Sequence, residues 1–145
     1  MQTVLHITHE ETPDQADVDW VVKGLSDYNE AMAGPSCHQR MVLFARDDAG
    51  ALVGGLLGST YWGWLFVSIL FVSEAARGTG IGAQLLAKAE ALGLERGAHH
   101  VFLDTFSFQA EPFYAQRGYA VFGRLDAFPT GHGRAWMSKA LRAAD

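Results

Sequence analysis

The chain has 145 residues, one cysteine and a net charge near −5, with 49% hydrophobic and 19% charged residues. That length suits a single domain over residues 1–145 with a sizeable core, and the composition excludes a disordered chain. The acidic balance argues against general nucleic-acid binding, and a lone Cys37 excludes an internal disulfide, leaving a buried, inert thiol as its expected role.

In chain order, Val4 to Thr8 alternates like a short strand. Thr12, Pro13 and Asp14 open a helix whose apolar side carries Val18, Val21, Val22 and Leu25. A second helical piece is predicted from Ser26 to Met32, before the break at Gly34, Pro35 and Ser36. Met41 to Arg46 and Ala51 to Tyr61 read as strands around the turn Asp47–Gly50. Trp64 to Val72 is the predicted central strand, leading into a glycine-rich loop. A helix over 80–96 carries Ile81, Leu85, Leu86, Ala89 and Leu92 at helical spacing and ends at Gly97. A strand from Val101 to Phe108 follows, parallel to the central one because a crossover helix separates them. Glu111 to Arg117 is a short helix, and 119–125 with 134–141 close as a hairpin. The expected fold class is therefore α/β in the mixed sense: a largely antiparallel sheet with one parallel pair, flanked by helices.

No charged residue occurs from Ala49 to Ser73. Five glycines and the polar Ser59, Thr60 and Tyr61 interrupt the run, so two covered strands explain it better than a membrane span. The first ten residues have neither a basic start nor an apolar core of signal length, which points to a cytoplasmic protein.

The most informative stretch lies between the central strand and the long helix. There Arg77, Gly78, Thr79, Gly80, Ile81, Gly82 and Ala83 follow an apolar strand. Glycines let the backbone approach a ligand, and the first amides of a helix lack internal acceptors. Those amides and the helix dipole converge on one anionic site, with Arg77 at its rim. The spacing also fits a dinucleotide fingerprint, but Ser73 to Arg77 separate strand from glycine, and the repeated strand–helix units of that fold are missing.

These residues resemble the signature of the GCN5-related N-acetyltransferase (GNAT) family, Arg/Gln-x-x-Gly-x-Gly/Ala. Phe113, Tyr114, Arg117, Gly118 and Tyr119 match a second family element downstream. The resemblance covers about a third of the chain. It implies a central strand splayed from its parallel neighbour and acetyl-CoA as co-substrate. Backbone groups of Leu70, Phe71 and Val72 would bind the pantetheine arm, and amides from Arg77 to Ala83 the pyrophosphate. Gln109 stands near the place of a family asparagine, with shifted spacing, and the segment from Phe106 to Ala110 is an alternative lining for the acceptor pocket.

Tyr114 occupies the family's general-acid position, and a phenol with a pKa near 10 stays protonated at neutral pH. The acid that many members carry on the central strand is replaced here by Phe66 and Ser68. Asp104, Glu30, a water chain or a backbone carbonyl remain as bases, with Asp104 foremost because a carboxylate within an apolar strand needs a functional or structural reason. Tyr28, Asn29, Tyr61, Trp62 and Trp64 form an aromatic-rich set able to hold an ammonium. The six histidines show no metal-ligand spacing, so no metal is expected.

The expected activity is direct transfer of acetyl to a primary amine of a small molecule. The alternatives are acetylation of protein N-termini or lysines, and a non-catalytic acyl-CoA sensor. Neither nucleic acid nor membrane is an expected partner, and the apolar closing strands are compatible with a homodimer.

Overall fold

The computed structural model describes residues 3–142 and divides the chain into two compact units, Met1–Ser36 and Cys37–Asp145. The first contains one helix, α1 (Gln15–Ala33), beginning after Asp14 and ending at Gly34, whose φ of 86° only glycine adopts freely. The predicted break at Ser26 is absent: 19 residues run continuously, because nothing in Gly24–Met32 removes a helical hydrogen bond as proline would. Val4 to Thr8 forms no strand; a strand exists only with a ladder partner, and these residues have none.

The second unit holds a six-stranded sheet in the order β1-β2-β3-β4-β6-β5. Its strands are β1 (Gln39–Arg46), β2 (Leu52–Tyr61), β3 (Trp64–Val72), β4 (His100–Phe106), β5 (Ala120–Asp126) and β6 (Gly133–Ala140). Every neighbouring pair is antiparallel except β3 with β4, which the crossover helix α2 (Ile81–Glu95) makes parallel. A short helix, α3 (Glu111–Ala115), joins β4 to β5. The charge-free run is β2 and β3, and among the described residues no helix is long and apolar enough to cross a membrane.

The core lies between one face of the sheet and α2. Leu85, Leu86 and Ala89 of α2 meet Leu56, Leu65, Val67, Val101, Leu103 and Met137 from the strands, all buried. Ile81 and Leu92 sit at the margin of this contact, half-buried. Burying each large aliphatic side chain contributes roughly 1.5–3 kcal/mol, which fixes α2 across β1, β2 and β3 and so places its N-terminus. Tyr119 tightens the same side: its hydroxyl donates to Glu90 Oε2 at 2.8 Å, while Lys139 Nζ donates to Glu90 Oε1 at 2.9 Å. Cys37 is exposed at a φ of 54°, contrary to the expected buried thiol, because it lies in the link ahead of β1 rather than in an element.

Candidate functional site

The site begins with one extra residue in β3. Leu57 pairs with Ile69 and its neighbour Gly58 with Val67, so Ser68 is left over as a β-bulge. Its hydroxyl donates to the Leu57 carbonyl at 3.2 Å. A bulge bends and twists its strand, and the parallel ladder with β4 stops here, the last pair being Val67 with Leu103. Gly58 permits this approach: a Cβ there would stand 2.2 Å from the Phe66 carbonyl oxygen. Beyond Val67 the β4-facing edge of β3 has no ladder partner, and the two strands open into a cleft of about 950 Å³.

The far end of this cleft is the glycine loop. A single 3-10 turn (Glu74–Ala76) leads into Gly78 and Gly80, with φ of 77° and 84°. Gly80 is the N-cap of α2 and offers no side-chain oxygen, so the amides of Ile81, Gly82 and Ala83 lack an internal acceptor. Thr79 turns its hydroxyl back to the Ala76 carbonyl and stays out of the cleft wall. Arg77 lines the cleft and steadies itself through Nε on the Val72 carbonyl at 3.2 Å. Arg117, part of the second motif but given no role from sequence, lines it too, with its guanidinium 3.8 Å from the Phe113 ring centre. The Tyr-x-x-Arg-Gly spacing was a usable signal, since three residues after Tyr114 the chain returns to the same side of the α3 turn.

Tyr114 is buried against Phe113 and Tyr119 yet lines the cleft. Its hydroxyl makes no hydrogen bond to a described residue, and among the described residues no unpartnered side-chain oxygen is fully buried, so the hydroxyl opens onto the cleft. Burial first, and the charge of Asp104 second, push its pKa up to about 12. A phenol in that state is a proton donor throughout the neutral range.

Asp104 also faces the cleft, but it is not isolated. Arg134 of β6 donates Nε at 2.8 Å and Nη2 at 2.6 Å, both to Asp104 Oδ1. The guanidinium lies about 5 Å from three ring centres: Phe106 at 5.0, Phe128 at 5.1 and Trp136 at 4.9 Å. Asp104 Oδ2 accepts no hydrogen bond from a described residue and retains solvent access. Gln109 lines the cleft with its side-chain carbonyl turned inward, accepting from the Phe106 amide at 2.8 Å and the Thr105 hydroxyl at 3.3 Å. That fold-back closes the β4–α3 loop and leaves the Gln109 amide NH2 as its outward donor.

Leu70, Phe71, Val72, Arg77, Gly78, Gly80, Ile81, Gly82, Ala83, Gln109, Tyr114 and Asp104 are thus brought to one cleft. Tyr61, Trp62 and Trp64 are not among its lining residues. They sit at the β2–β3 turn, at the opposite end of β3 from the glycine loop, where Trp64 stacks on His100 at 4.6 Å. Tyr28 and Asn29 belong to α1 in the first unit.

The chain matches the model of the acetyltransferase (GNAT) family over residues 2–119. It is 38% identical over 112 residues to acetyltransferase Atu2258 of Agrobacterium fabrum, covering 77% of this chain and 82% of that protein. It is 39% identical over 89 residues to a Blasticidin-S acetyltransferase of Streptomyces morookaense, covering 61% of this chain and 65% of the relative. Among solved structures, an acetyltransferase from Bacillus cereus superposes with a TM-score of 0.85 at 29% identity, covering 92% of this chain and 98% of its own.

Proposed function

Because the chain belongs to the acetyltransferase (GNAT) family and is an N-acetyltransferase, we propose that it moves acetyl from acetyl-CoA directly to a primary amine of a small molecule. The observation that carries this reading is the cleft itself, where an unpaired strand edge, uncapped helix amides and a free phenol line one continuous space. A pantetheine arm carries amides that pair with a strand edge, and a pyrophosphate suits helix amides with Arg77 beside them. Gly78 and Gly80 leave open space where a Cβ would stand, the nearest atom being in the Gln84 side chain at 4.0 Å from the Gly80 position.

The thioester supplies an activated acyl group. Leu70, Phe71 and Val72 hold the arm through main-chain groups, and Arg77 to Ala83 hold the phosphates. Tyr114 gives its proton to the departing thiolate. Asp104, through Oδ2, receives a proton from the attacking amine or orients it, while Arg134 holds the other oxygen. Tyr61, Trp62 and Trp64 remain a proposed aromatic surface for an ammonium apart from this cleft, and Tyr28 and Asn29 of the first unit are separately proposed as acceptor contacts.

A small-molecule acceptor is supported by the relative named for Blasticidin-S. The family match runs through both compact units, which supports one acetyltransferase domain over residues 1–145. The lone cysteine fits a reducing cytoplasm, and the apolar strands β5 and β6 fit a homodimer. Acetyl-CoA-dependent thiol release, assayed against amines and short peptides, tests the reading. Turnover only with peptides would move the acceptor to protein, and acetyl-CoA binding without any turnover would favour a sensor.

A further inference from the structure

The β4–α3 loop and the β5–β6 loop meet beside the cleft in a group of rings that the transfer chemistry does not use. Phe106 and Phe108 stack with centres 5.3 Å apart and planes within 11°. His132 stands at 82° to Phe108, 5.0 Å away, and Phe128 lies 5.4 Å from Phe106. Phe108 also lines the cleft, yet 57% of it remains exposed. Large exposed rings grouped at the mouth of a cleft mark a binding surface more often than a packing fault.

The corner is built rather than accidental. Ser107 N–H donates to the Gly133 carbonyl at 2.8 Å, and Gly133 N–H donates to Ser107 Oγ at 3.0 Å, so the loops are laced together. Rings held this way keep their faces presented without losing further freedom on binding. A parallel slab with a third ring perpendicular to it suits a flat group, which meets one ring face-on and the other edge-on, both favoured aromatic geometries. Arg134 beneath the slab is paired with Asp104, so the corner carries no net charge and favours a π surface over a second ion.

We infer that Phe106, Phe108 and His132 form an acceptor subsite for a flat, conjugated group, with the amine directed to Asp104 Oδ2. This rests on the transfer reading above and names the class of its acceptor.

The test compares 2-phenylethylamine with 2-cyclohexylethylamine, which share connectivity and differ in flatness. Calorimetry on the CoA-saturated protein measures binding, and thiol release measures turnover separately. The flat amine is expected to bind about fivefold to tenfold tighter, the range that aromatic pairing supplies beyond its area. Phe108→Leu keeps apolar bulk and is expected to abolish that preference, whereas Phe108→Trp retains it. Equal affinities in the wild type, or a preference untouched in Phe108→Leu, would overturn the subsite even if both amines are acetylated. A preference that depends on Phe108 with neither amine acetylated supports the subsite and counts against the transfer reading.

Discussion

Arg134 reaches across the β4–β6 pair and places two nitrogens on a single oxygen of Asp104. The carboxylate is thereby oriented with one oxygen engaged and the other left to the cleft. Asp104→Asn is expected to lower kcat/KM for the amine by about 10²-fold, the lower end of what general acid–base groups contribute. It also leaves Arg134 without its partner in a half-buried position, at an expected cost of about 1–2 kcal/mol. Steady-state kinetics and urea denaturation of the same preparation separate the two effects.

Tyr114 makes a prediction whose sign follows from its environment. Burial and the Asp104 charge move its pKa from 10 up to about 12, so its neutral form is preferred more strongly in the folded chain than in the unfolded one. The stabilising contribution is fully present below pH 10 and is lost as pH rises toward 12. Tyr114→Phe is therefore expected to flatten the fall in stability between pH 10 and 12, measured by denaturation at a series of pH values. In kinetics it is expected to reduce kcat about 10²-fold with the KM for acetyl-CoA changed little. Full retained activity at every pH would remove Tyr114 from the mechanism.

Gly58 of β2 lies opposite the Ser68 bulge that opens the cleft. An alanine there would set Cβ 2.2 Å from the Phe66 carbonyl oxygen, a backbone atom that cannot swing aside. Gly58→Ala is expected to cost about 1–3 kcal/mol, as overpacking does, and to weaken CoA binding with it. The denaturation midpoint and a CoA titration check both. Unchanged stability with unchanged CoA affinity would show that the bulge is not needed for the opening.

Arg77 and Arg117 both line the cleft. Each changed singly to Gln is expected to raise the KM for acetyl-CoA about threefold to tenfold while kcat holds, because a charge-assisted contact to phosphate is made alike in ground and transition states. The effect should shrink as salt rises. Measuring both variants at low and high ionic strength also tells whether Arg117, stacked on Phe113, is a phosphate ligand or only a packing residue.

The glycine loop, the strand before it and the helix after it were legible from residue order alone, because backbone freedom at Gly78 and Gly80 and the 3.6-residue spacing of Leu85, Leu86 and Ala89 are local properties. The second motif likewise placed Tyr114, since helix and glycine stop lie within a few residues of each other. Asp104 stood out as a carboxylate in an apolar strand. Its partner did not: Arg134 lies 30 positions away, and only strand register brings the two together. Phe108 and His132 were individually visible, but their corner exists only once two loops are laced. Cys37 and Val4 to Thr8 misled for a related reason, since burial and strand pairing depend on what the rest of the chain provides.

The sequence by itself determined the glycine loop and the mixed α/β class, which follow from short-range sterics and periodicity, while Tyr114 was picked out by the family resemblance. The tertiary structure alone decided where β3 parts from β4. That opening depends on a one-residue mismatch at Ser68, where the pairing passes from Gly58 with Val67 to Leu57 with Ile69. A register of that kind is set by the summed packing of the whole sheet on α2, which no local pattern encodes.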